Sequence, residues 1–147
     1  MKQTLYNLCL AHITATIKNA EELIADAREA AANETKSSAG DKYETAREMM
    51  QQEIDLNTTR LQAAKAQEQV LKQIDTEKTN DVVVPGSVVQ TNSGYFYIAV
   101  GAGQLMVDGV KYYAISMDSP LGAQLKGKRA GDTYALNGRT FTIISVN

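Results

Sequence analysis

The sequence has no tryptophan and only one cysteine, one histidine and two prolines among its 147 residues. A lone cysteine, Cys9, excludes an intramolecular disulfide and argues against a cysteine-based zinc site. It falls in a helical pattern, where a small buried residue is the simple expectation. His12 lies one turn further on. A Cys9–His12 pair at that spacing has the reach for a thiol–imidazole contact, but no strand–loop framework positions it as a nucleophile. With one histidine there is no Ser/His/Asp set and no HExxH motif. Gly101-Ala102-Gly103 lacks the remaining glycines of a phosphate loop and joins two strands rather than a strand and a helix. No self-contained active site is expected, and hence no enzyme.

Long apolar runs are missing as well. No stretch approaches the ~20 residues that a membrane span requires. The first residues, with Lys2, Gln3, Thr4, Asn7 and His12, do not read as a secretion signal. A cytoplasmic protein without membrane contact is expected. Charge is almost balanced, 15 basic against 17 acidic residues for a net −2. That gives no global attraction to nucleic acid or anionic membranes.

The scarce residues are unevenly placed. Residues 1–80 contain no proline and a single glycine, Gly40, and are rich in strong helix formers. Leu10, Ile13, Ile17, Ala20, Ile24, Ala27 and Ala31 follow a 3,4 spacing, which is a heptad seam. The pattern stops near Asn33. A polar stretch, Asn33 to Glu44, holds Ser37, Ser38 and Gly40, and Asp41 with Glu44 has capping-box spacing. A second stripe follows at Tyr43, Ala46, Met50, Ile54, Asn57, Leu61, Ala64, Leu71 and Ile74, interrupted by Asn57 and Glu68. Two helices of about 30 residues joined by a short turn make an antiparallel coiled-coil hairpin, roughly 45 Å long at 1.5 Å per residue. The hairpin is expected over residues 1–79, with its tip near 34–44.

Composition changes abruptly at Thr79-Asn80-Asp81. Pro85-Gly86 marks a turn, and Ser87–Thr91 and Tyr95–Val100 read as strands around Asn92-Ser93-Gly94. Gln104–Val107 and Lys111–Ser116 flank Asp108-Gly109, a type I′ hairpin signal. Ser119 as N-cap and Pro120 at the first helical position open a short helix ending at Gly127. Thr133–Leu136 and Arg139–Val146 flank Asn137-Gly138. Residues 80–147 are therefore expected to form a small antiparallel sheet with one short helix. The whole is an α+β chain.

Pro85-Gly86-Ser87-Val88-Val89, Tyr97-Ile98-Ala99-Val100-Gly101, Ile115-Ser116, Ser119-Pro120-Leu121-Gly122, Leu125, Gly127-Lys128, Gly131-Asp132 and Phe141-Thr142-Ile143 together resemble the C-terminal domain of the bacterial Gre transcription elongation factors (GreA/GreB). That domain is FKBP-like and in the family follows an N-terminal antiparallel coiled coil, the order read here. In the N-terminal half the likeness is mostly architectural, apart from Ala27-Arg28, Gly40-Asp41 and the run from Tyr43 to Glu48. The resemblance implies an RNA polymerase-binding factor acting through the secondary channel. Acidic tip residues would help hold a second Mg²⁺ in the polymerase active site, so that the polymerase cleaves a backtracked transcript. A two-metal site stabilises both attacking and leaving oxygens, and Mg²⁺ often takes only one or two carboxylates. A donated carboxylate can therefore complete a site that the partner only half builds. The factor would have no cofactor of its own, would meet the RNA 3′ end only indirectly, and is expected to be a monomer.

The family tip reads G-D-x-x-E-N-A-E-Y, and two alignments are open. One puts the acids on Asp41 and Glu44. The other anchors on Tyr43 and Ala46-Arg47-Glu48 and puts Lys36 and Ala39 at the acidic positions. Glu34 is a third candidate. By the same resemblance, Ser119, Pro120, Leu121 and Gly122 are the candidate polymerase contact. A Gre-like regulator or inhibitor without cleavage activity is the alternative. An FKBP-like peptidyl-prolyl isomerase or chaperone would need an aromatic-lined proline pocket, which a chain with two phenylalanines and no tryptophan is poorly equipped to build. A purely structural coiled-coil adaptor would leave Ser119–Gly122 unexplained.

Overall fold

A computed structural model describes residues 1–37 and 41–147, with side chains outside 34–43. Two long helices, α1 (Lys2–Ser37) and α2 (Asp41–Lys72), precede six strands and a short helix. The architecture is α+β, a helical hairpin and then a sheet. By contacts the chain forms two compact units. One combines Met1–His12 with Gln69–Asn147; the other is Ile13–Glu68.

In the Ile13–Glu68 unit the heptad seam holds. Ile13, Ala20, Ile24 and Ala27 of α1 are buried, as are Asn57 and Ala64 of α2. Met50, Ile54 and Leu61 are half-buried on the same stripe. Narrowing the seam to alanine lets two backbones approach closely while still excluding water. α1 does not stop near Asn33 but continues to Ser37. Once a helix is nucleated, each further residue adds a hydrogen bond at little cost, so a polar stretch without proline extends it.

The other unit is built on β1 (Val88–Thr91), β2 (Gly94–Ala99), β3 (Gly103–Val107), β4 (Val110–Ser116), β5 (Thr133–Leu136) and β6 (Arg139–Val146), with α3 (Pro120–Leu125) between β4 and β5. The strand order is β3-β4-β2-β1-β6-β5. The expectation of an antiparallel sheet is corrected here: β2 and β4 pair in parallel, Tyr95 opposite Tyr112 through Ala99 opposite Ser116. Val100–Ala102 carry the chain past the position beside β2, with Ala102 N donating to both Val100 O and Ala114 O. β3 thus becomes an edge strand, and the Asp108-Gly109 hairpin returns β4 into the gap. The remaining pairs are antiparallel.

Both sheet faces carry buried residues. Val83, Val89, Phe96, Ile98, Leu125, Tyr134 and Ile143 form one core cluster, with Leu121 and Phe141 against it. On the other side the first turns of α1 complete the unit. Leu5 and Cys9 are fully buried, as are Leu71, Tyr97 and Tyr112. The Tyr112 hydroxyl donates to Met1 Sδ at 2.8 Å, Lys2 Nζ to Lys78 O at 2.7 Å, and Thr76 Oγ1 to Gln3 Oε1 at 2.8 Å. The Pro85-Gly86 turn is fixed by buried Ser87, whose Oγ accepts from Val84 N at 3.0 Å. Gly86 has φ +95°, and a Cβ there would stand 2.9 Å from Ile74 Cγ2. Only glycine suits both demands.

Candidate functional site

Two sets of residues were singled out by sequence, one at the hairpin turn and one at the start of α3. At the turn, Glu34 belongs to the last part of α1 and Asp41 is the first residue of α2. The side chains of both lie outside the described residues, as do those of Lys36, Lys42 and Tyr43. The capping role of Asp41 falls there too. Glu44 is described and exposed in the first turn of α2, followed by exposed Arg47 and Glu48. A carboxylate near a helix N-terminus sits favourably against the exposed amide groups.

Glu44 presents a solvent-exposed carboxylate, with exposed Glu48 one turn further along α2. Among the described residues no group of three or more His, Cys, Asp or Glu side chains is arranged to hold a metal ion. One oxygen ligand of this kind fits a donor to a metal held mainly by another protein. It does not make a metal site by itself.

At α3 the fold accounts for three of the four candidate positions. Ser119 Oγ accepts from Gly122 N at 3.0 Å and donates to Ser116 O at 2.7 Å, so the residue both caps α3 and ties it to the end of β4. Such a cap contributes about 1 kcal/mol. Leu121 packs against the core cluster. Gly122 is buried, and a Cβ there would collide with the Ser116 carbonyl and stand 2.9 Å from Met117 Cα. Pro120 alone is exposed, preset for the first helical position.

Cys9 carries no signature of a reactive thiol. It is fully buried, and burial pushes its pKa up to about 11, whereas a nucleophilic cysteine needs the thiolate favoured. His12 is exposed. Both phenylalanines and Tyr134 belong to the core of the sheet unit, and Phe141 stacks on Tyr134 with ring centroids 5.4 Å apart. A cleft of about 570 Å³ beside the end of α2 is lined by Val70, Ile74, Asp75, Lys78, Val84 and Pro85 among others, with no aromatic side chain.

Sequence reasoning missed the outer face of α2. Met49 and Leu56 stand 65% and 52% exposed there, seven residues apart. The signal was present as a second heptad spacing without charge, masked by the stronger seam beside it. No helix among the described residues is long and apolar enough to cross a membrane. No protein-family model matches the chain, and no curated protein is significantly similar to it.

Proposed function

We propose that this chain is a Gre-like factor that binds bacterial RNA polymerase in the cytoplasm and acts through the secondary channel, stimulating cleavage of backtracked transcripts. The observation that carries this reading is the order and kind of the elements. A helical hairpin of 36- and 32-residue helices precedes a sheet domain in which a serine-capped, proline-initiated helix follows β4. The family resemblance implies that order. In this reading the chain is not an enzyme but lends Glu44, with Asp41 and Glu34 as the other candidates, to Mg²⁺ in the polymerase active site. Pro120, the exposed member of the Ser119–Gly122 set, is the first residue to test for contact with the polymerase.

The test is a stalled, backtracked transcription complex to which the protein is added. Shortening of the RNA from its 3′ end is the expected result. Asp41→Ala with Glu44→Ala is expected to abolish shortening and leave binding intact. If shortening survives that pair, the two residues are helix caps only. Binding without shortening by the unaltered protein supports the alternative, a channel-binding regulator or inhibitor. Absence of binding rejects both readings.

A further inference from the structure

We propose that the outer face of α2 between Met49 and Ala66 pairs with the same face of a second copy of this chain, the two helices running antiparallel. Met49, Gln52, Leu56, Thr59, Ala63 and Ala66 recur at spacings of 3, 4, 3, 4 and 3, and all six are exposed. Such spacing aligns residues along one side of a helix. The strip is separate from the seam that the hairpin uses, which runs through Met50, Ile54, Asn57, Leu61 and Ala64 and is buried or half-buried. α2 is otherwise rich in charge, yet no charged residue falls on the strip. Its two large apolar side chains are more than half exposed.

Charge at the margins selects the occupant and its direction. With Met49, Leu56 and Ala63 at one core position of the heptad and Gln52, Thr59 and Ala66 at the other, Glu53 and Arg60 occupy the same flanking position one heptad apart. Antiparallel pairing sets Leu56 of one copy beside Thr59 of the other and brings Glu53 of each copy to Arg60 of the other. Two opposite-charge pairs form by symmetry. Parallel pairing would instead form two like-charge Glu48–Glu53 contacts and two opposite-charge Asp55–Arg60 contacts, which offset one another. Flanking charges of this kind decide orientation in paired helices. A self-complementary strip with a two-fold charge pattern is what an isologous dimer requires. The pairing departs from the monomer expected from sequence and does not rest on the polymerase reading; a paired hairpin would have to separate before it entered the channel.

The test is sedimentation of the full chain over concentrations up to the millimolar range, with circular dichroism to verify folding. The unaltered chain is expected to associate into dimers. Leu56→Glu, at an exposed position, is expected to keep the helical signal and abolish association. Glu53→Arg alone and Arg60→Glu alone are each expected to weaken association by about tenfold. An equimolar mixture of those two variants is expected to restore it, because the mixed pair regains opposite charges on both flanks. An unaltered chain that stays monomeric overturns the proposal, with the strip then serving another partner or none. Association that ignores Leu56→Glu, or a mixture no stronger than its components, overturns it equally.

Discussion

The Ser116 carbonyl and Gly122 approach so closely that no side chain fits between them. α3 therefore lies directly on the end of β4, and Ser119 closes the contact by bonding to both. Gly122→Ala is expected to destabilise the fold by about 2–3 kcal/mol, because backbone rather than a flexible side chain must give way. Ser119→Ala is expected to cost about 1 kcal/mol. Urea unfolding of the two variants checks both magnitudes and their order.

A second expectation concerns Tyr97. Its ring is fully buried and its hydroxyl has no hydrogen-bond partner among the described residues. Leaving a buried hydroxyl unpaired costs about 1–3 kcal/mol. Tyr97→Phe removes the penalty and keeps the ring, so the variant is expected to be more stable than the parent by about 1 kcal/mol. A melting temperature equal to or below the parent's would mean that the hydroxyl has found a partner.

The same neighbourhood sets the response to alkali. Burial raises the Cys9 pKa from 9.0 to about 11, and it raises that of Tyr97 above the usual phenol value, with Cys9 and Tyr6 adding to the effect. Both groups are neutral when protonated. Above pH 9 the unfolded chain therefore releases the cysteine proton while the folded chain still holds it. Stability is full below pH 9 and declines between pH 9 and 11, at about 1.4 kcal/mol per unit for one group. Cys9→Ala is expected to flatten that decline, measured as unfolding free energy against pH. An unchanged slope would show that Cys9 ionises equally in both states.

Asn57 is only 2% exposed, and while its Nδ2 donates to Glu53 O at 3.0 Å, its Oδ1 has no partner among the described residues. An asparagine in a helical seam trades stability for register. Asn57→Leu is expected to raise the melting temperature of the full chain, by an amount corresponding to about 1–2 kcal/mol. A drop would mean that the narrow seam beside Ala64 has no room for the larger side chain.

Local signals in the sequence carried most of the elements. Asp108-Gly109 and Asn137-Gly138 adopt positive φ, 51° and 78° and then 52° and 78°, as the type I′ assignment of the first demands. Ile13, Ala20, Ile24 and Ala27 are buried where a heptad puts them. The parallel partnership of β2 and β4 was not legible, because a turn specifies which strands are joined but not which strand enters a gap. Nor did any local feature distinguish Leu5, Cys9 and Leu71 from the seam residues further along the same helices. Their burial belongs with the sheet, and only the fold reveals it. At the candidate site, the capping geometry of Ser119 was readable from Ser-Pro spacing, whereas the close approach at Gly122 depends on β4, a different element.

The compact unit that contains the sheet is assembled from two pieces of chain, Met1–His12 and Gln69–Asn147, with residues 13–68 between them. For a flexible insert of that length, bringing the ends together costs on the order of 3–4 kcal/mol in chain entropy. Helix pairing within the insert involves contacts that are local at its turn and spread outward by zippering, so it can be completed early. Early pairing would convert a costly long-range closure into a short-range one. The hairpin would then act as a folding clamp, and lengthening its turn should slow formation of the sheet more than it lowers equilibrium stability.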